Sequence, residues 1–135
     1  MVKLIIGVKG TGKTKALIEM INAALDSSKG SVVCIEKGTN LQLTLNYNCR
    51  LINSDEYMVN NANELYGFIA GLVASNHDIT DLFIDATYRI CQRDAEAFDK
   101  FVTEVDELSS KYGMNVVMTV SMPAENTTDT MKKYL

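Results

Sequence analysis

Gly7-Val8-Lys9-Gly10-Thr11-Gly12-Lys13-Thr14 is the stretch whose reading decides the fold. Its spacing is G-x-x-x-x-G-K-[ST]. The apolar run Leu4-Ile5-Ile6 precedes it, and a helix-period segment, Ala16 to Leu25, comes after. Strand, glycine loop and helix are the context in which this spacing has physical meaning. The glycines let backbone N–H groups converge on phosphate oxygens with no side chain in the way. The helix after the loop points its positive end at the same oxygens. Lys13 supplies a mobile point charge, and Thr14 offers a hydroxyl to Mg²⁺. Gly7, Val8, Lys9, Gly10, Thr11, Gly12, Lys13, Thr14 and Lys15 therefore form the candidate phosphate-binding set.

A dinucleotide fingerprint competes for the same glycines, with Glu36 standing where a ribose-binding acid sits. G-x-G-x-x-G read from Gly10 requires glycine at position 15, which is Lys15. Lysine and threonine at the start of the helix suit a triphosphate and Mg²⁺ better than a pyrophosphate laid on bare backbone.

The 135 residues are enough for one domain with a single core and too few for two domains, so residues 1–135 read as one domain. Hydrophobic content of 47% with 22% charged residues predicts a folded chain. The net charge of −4 argues against broad contact with a nucleic-acid backbone but leaves room for a local basic patch. No apolar run approaches the ~18 residues of a membrane span. Met1-Val2-Lys3 enters a strand directly, without a signal-peptide layout, so the expected location is the cytoplasm. Cys34, Cys49 and Cys91 are odd in number and accompanied by one histidine, which fits neither a disulfide framework nor a zinc site.

Outward from the loop, Lys3 to Gly7 reads as a buried strand and Ser31 to Glu36 as a second one. The helix between them carries Ala16, Leu17, Met20, Ile21, Ala24 and Leu25 on one stripe. Strand, helix, strand is a βαβ unit, which makes the two strands parallel. Leu41, Leu43, Leu45 and Tyr47 alternate with polar residues, the period of a half-buried strand that forms a small hairpin or edge extension with Cys49 to Asn53; a helical turn is the competing reading. Asp55 to Ser75 reads as helical, at least from Asn63, with Gly67 and Gly71 expected to pack closely on the sheet. His77 lies in a polar turn and carries no catalytic role.

Leu82-Phe83-Ile84-Asp85 is an apolar strand ending in a carboxylate. With the loop upstream, Asp85 is expected to order the Mg²⁺ shell beside Thr14. Asp94 reads as the N-cap of a helix to Ser110 that buries Phe98, Phe101, Val102, Val105 and Leu108. Asn115 to Ser121 is a further buried strand with hydroxyls towards its end, and a short last helix or tail comes after Pro123.

Together the phosphate loop, the second strand, the Asp85 strand and the hydroxyl-ended strand resemble the P-loop NTPase superfamily. Within it they look like the RecA-like and pilus-retraction-type additional-strand ATPase cores. The resemblance implies a three-layer α/β/α sandwich, a minimal RecA-like core with a mainly parallel central sheet. It also implies that the Asp85 strand is separated from the phosphate-loop strand by Val116–Val120, and that Thr119 or Ser121 faces the γ-phosphate. Many relatives of that type place Glu directly after the metal-ordering Asp, where this chain has Ala86. RecA-like members instead end the strand after the first helix in the activating Glu, which corresponds to Glu36, a candidate to orient water. Arginine is scarce, with Arg50, Arg89 and Arg93 as the available finger residues.

The expected function is ATP binding with Mg²⁺ and hydrolysis of the β–γ bond by Lys13 and Glu36. The alternatives are a catalytically weak nucleotide-binding regulatory or scaffold module, or a nucleoside or small-molecule kinase with Asp55 and Glu56 near an acceptor. GTPases are disfavoured, since N-K-x-D is absent and Asp85-Ala86-Thr87-Tyr88 is not D-x-x-G. The resemblance also allows a homo-oligomer or a protein partner.

Overall fold

The computed structural model describes all residues, Met1–Leu135, and is an α/β structure built on five parallel strands. In chain order these are β1 (Val2–Gly7), α1 (Lys13–Ser27), β2 (Ser31–Glu36), β3 (Arg50–Asn53), α2 (Ala62–Ser75) and β4 (Ile79–Asp85). The one-turn α3 (Thr87–Ile90), α4 (Ala95–Tyr112), β5 (Asn115–Ser121) and the short α5 (Asp129–Lys132) complete the chain. The sheet order is β1-β5-β4-β2-β3, so β5 lies between β1, which leads into the glycine loop, and β4, which ends at Asp85.

The strand side chains alternate between the two faces of the sheet, as the period of two requires, so the core of this one domain lies in two layers, one against each face. Val33 and Ile35 of β2, Leu82 and Ile84 of β4, and Val116, Met118 and Val120 of β5 face α2, α4 and α5. Val32, Cys34, Phe83 and Val117 face the other way, towards Leu17, Ile21 and Ala24 of α1. Helices therefore cover both faces of the sheet, as the near-continuous apolar strands demand. Phe98, Phe101, Val102 and Val105 of α4 are fully or almost fully buried, each worth about 1.5–3 kcal/mol of transfer free energy. Asp94 caps α4 as its sequence position predicts, its carboxylate accepting the Ala97 amide at 3.1 Å. The outer edge of β1 is partly covered by the C-terminal segment, where the Leu4 amide donates to the Tyr134 carbonyl at 2.8 Å.

Two expectations are corrected. Residues 41–47 form no strand: the Leu41 carbonyl accepts the amides of Thr44 (3.1 Å) and Leu45 (2.9 Å), the helical turn of the competing reading, while Arg50–Asn53 is the edge strand β3. Leu43 and Tyr47 project almost fully into solvent, at 101% and 93% exposure, whereas Leu41 packs under α1. The hairpin with Cys49 to Asn53 does not form: that segment, as β3, pairs in parallel with β2, Val33 opposite Arg50 through Glu36 opposite Asn53, and its outer edge stays unpaired. A parallel neighbour needs a crossover of a dozen or more residues, and 37–49 is that crossover. Gly67 and Gly71 do not pack on the sheet; both lie on the solvent side of α2, with open space where a Cβ would stand. The apolar stripe Leu65, Ile69, Val73 fixes the buried side of the helix and leaves the two glycines outside it.

Candidate phosphate-binding site

All five strands are parallel, so their carboxyl ends share one edge, which is where open α/β sheets place ligands. Residues 8–12 turn there between β1 and α1. Gly10 and Gly12 sit at φ 87° and 84°, in the left-handed region that a Cβ disfavours, and Gly12 is the N-cap of α1. The Val8 carbonyl closes the turn, accepting the Thr11 hydroxyl at 2.7 Å and the Lys13 ammonium at 2.8 Å. The Lys13 charge is thereby held at the mouth of the loop.

Beside the loop lies a cavity of about 780 Å³. Lys9, Gly10, Gly12, Lys13, Thr14 and Lys15 form one wall. Asp85, Thr119 and Ser121 form its floor from the ends of β4 and β5, and Asn40 reaches it from the crossover. Tyr88, Arg89 and Arg93 complete it from the segment after β4. Five cationic side chains meet one carboxylate, Asp85, in a chain whose net charge is −4. Positive potential is thus concentrated where polyanions would be drawn in.

Asp85 is held by both neighbours. The Thr119 hydroxyl donates to its Oδ1 at 2.6 Å and accepts the Ala86 amide at 2.8 Å. The Thr14 hydroxyl lies 3.4 Å from Oδ2. A carboxylate and a hydroxyl side by side are the hard-oxygen pair that Mg²⁺ takes, with water and phosphate oxygens filling the rest of its octahedron. No group of three or more His, Cys, Asp or Glu side chains comes together anywhere in the chain, so no all-protein cage for a metal is built. Of the two hydroxyls proposed to face a γ-phosphate, Thr119 is 2% exposed and committed to Asp85, while Ser121 is exposed at the cavity floor.

Glu36 is placed differently. It is the register partner of Asp85 on the adjacent strand, yet it does not line this cavity. Its two carboxylate oxygens accept the Leu41 amide at 3.1 and 3.2 Å, and the residue is 2% exposed. Burial raises its pKa, partly opposed by the amides of Leu41 and Asn40, while the Asp85 charge raises it further. The group anchors the crossover turn. It borders a second, smaller cavity of about 310 Å³ between the crossover and β3, together with Arg50 and Glu56. Asp55 pairs with Lys37 at 2.6 Å and lines neither cavity.

The three thiols are free and buried, and burial pushes Cys49 up to about 11 and Cys91 up to about 12, so neither is a nucleophile at neutral pH. His77 is exposed and lies edge-on to Tyr112. The sequence offered Arg89 and Arg93 only as two of three available arginines; that both line the cavity beside the glycine loop, and that Arg50 does not, is legible only in the fold. No helix is long and apolar enough to cross a membrane. No protein-family model and no curated protein matches this chain.

Proposed function

We propose that this chain binds a nucleoside triphosphate with Mg²⁺, as a minimal P-loop protein of the RecA-like type. The polyphosphate lies along the amides of 8–14, Lys13 exchanges the Val8 carbonyl for phosphate oxygens, and Thr14 with Asp85 holds the cation. The observation that carries this reading is the approach of Thr14 to Asp85 across 71 residues of sequence, at the mouth of a cavity lined by five cations. A glycine turn with no ligand has no need of an acid brought to its hydroxyl from a strand two places away.

A general base must come within hydrogen-bond reach of the attacking water. The one carboxylate in the cavity is Asp85, already assigned to the cation, and Glu36 spends both oxygens on Leu41. On this reading the chain is a nucleotide-binding regulatory or scaffold module, with hydrolysis at most slow.

Thermal unfolding with ATP, GTP and ADP, with and without Mg²⁺, tests this reading, since a ligand that binds the folded state raises the midpoint by mass action. Stabilisation by Mg·ATP or Mg·GTP is expected, and Lys13→Ala should remove about 2–3 kcal/mol of the binding free energy, the scale for a charged hydrogen-bond partner. A midpoint unmoved at millimolar nucleotide would refute the assignment. Rapid phosphate release that survives Glu36→Ala would refute the slow-turnover part and leave binding intact.

A further inference from the structure

The sheet has two outer edges, and the chain treats them differently. At β1 the Leu4 amide donates to the Tyr134 carbonyl, and the C-terminal segment partly covers the strand. β3 pairs with β2 alone. No backbone group of Leu51, Ile52 or Asn53 joins a backbone hydrogen bond outside that ladder. Alternate residues of an edge strand point their N–H and C=O groups outward, a template for another strand. Arg50–Asn53 carries none of the usual guards: no proline, no lysine and no bulge.

The surroundings of β3 are shaped to receive a strand. Eight large apolar side chains of the chain are exposed, and four of them, Leu43, Tyr47, Tyr57 and Met58, come from the segments just before and just after β3. Clustered exposed apolar side chains mark an association surface, where scattered ones do not. A groove also borders each face of β3. One is the cavity of about 310 Å³ on the crossover side. The other, of about 560 Å³, lies on the α2 side among Val33, Ile52, Phe68 and Leu72. Arg50, Ile52 and Tyr57 border both. An added strand sends its side chains alternately to the two faces and so enters both grooves.

Charge identifies the occupant. Arg50 opens β3, and Glu56 follows its end by three residues. Both are exposed, and both border the crossover-side groove. Neither belongs to an ion pair within the chain, where Lys37 pairs with Asp55 and Lys132 with Asp129. A uniformly acidic or basic partner would meet one of the two as a like charge. A second copy, turned about a two-fold axis normal to the sheet, runs its β3 antiparallel to the first. The start of each strand then lies beside the end of the other, which brings Arg50 of each copy to Glu56 of the other. We infer that β3 joins β3 of a second copy in this way, making one continuous sheet flanked by two Arg50–Glu56 ion pairs. The pairing consumes the open edge of both copies, so it stops at two chains and builds no ring or filament. The carboxyl ends of the two sets of strands point in opposite directions, and each cavity beside the glycine loop is complete in its own chain. The inference does not depend on nucleotide binding.

Sedimentation of the full chain from micromolar to near-millimolar concentration should show monomer and dimer in equilibrium and no larger species. Arg50→Glu and Glu56→Arg, each alone, set like charges at both contacts and should weaken the dimer about tenfold or more. The two variants mixed should pair with each other, and the double variant Arg50→Glu/Glu56→Arg should pair with itself, because opposite charges return at both contacts. Amide hydrogen exchange on the wild type needs no variant: exchange within 50–53 should slow as the dimer forms. A wild type that stays monomeric throughout, with 50–53 exchanging fast at every concentration, would overturn the inference and leave the edge to another protein or to none. A dimer indifferent to both charge reversals, mixed variants that fail to pair, or a dimer whose 50–53 amides exchange as fast as the monomer's would overturn it equally.

Discussion

Asp85 and Glu36 are the same kind of residue by local sequence: each ends an apolar, buried strand in a carboxylate. They are register partners on adjacent strands, β4 and β2. Their fates differ. Asp85 stands at a cavity between two hydroxyls, and Glu36 is covered by the crossover it anchors. The difference comes from the connection leaving each strand. After β4 the chain turns into α3, with Ala86 in the left-handed region, and the carboxylate stays open to the loop side. After β2 the chain folds back as a turn whose Leu41 amide needs an acceptor, and the Glu36 carboxylate supplies it. A strand-end acid becomes a candidate ligand for a cation or a structural anchor according to the loop above it.

That contrast can be broken most severely at Asp85. Asp85→Asn should reduce the Mg²⁺-dependent gain in nucleotide affinity by at least about 10–100-fold, the range for losing even an outer-shell partner. Ligand-free stability should hardly change, because the amide oxygen still accepts the Thr119 hydroxyl. Titration with and without Mg²⁺ reads the effect, and an unchanged metal dependence would remove Asp85 from the cation site. Glu36→Ala should do the reverse. It leaves the Leu41 amide without its acceptor and should cost about 1–3 kcal/mol of stability by denaturant unfolding, with nucleotide affinity almost unaltered once the protein is folded. An equal loss of affinity would place Glu36 in the binding site after all.

The smallest effect is a pH slope. Burial holds the Glu36 pKa above its ordinary value in the folded state. The folded chain therefore binds more protons than the unfolded chain between the two pKa values. Stability from this group is complete below the unfolded pKa and is lost as pH rises through the folded pKa. Glu36→Gln keeps an acceptor for Leu41 and cannot titrate. The stability difference between wild type and Glu36→Gln should thus move against the wild type as pH increases from about 4, the ordinary carboxylate range, towards neutrality. A difference that is flat with pH would mean that burial does not govern this carboxylate.

Much of the fold was legible because its signals are local. The stripe Leu17, Ile21, Ala24 is one helix face, and all three side chains are buried. The cap at Asp94 and the strands ending at Glu36, Asp85 and Ser121 likewise come from period and boundary residues. The failures share one cause. Leu41 to Tyr47 carries a strand period, but these residues lie in the crossover that a parallel β2–β3 pair requires, and the chain there turns instead of extending. Gly67 and Gly71 show the spacing of a close contact, yet the larger stripe beside them decides which side of α2 is buried.

By itself the sequence determined the glycine turn, its lysine and threonine, and the apolar strands that must lie inside a layered α/β structure. These depend on steric freedom at Gly10 and Gly12 and on side-chain period, which belong to the chain before it folds. Tertiary structure alone decided that Thr14 meets Asp85, that Glu36 turns to Leu41, and that Arg89 and Arg93 face the loop. Each of those is a relation between segments brought together by strand order, and strand order is set by which buried surfaces fit one another once the whole sheet is assembled.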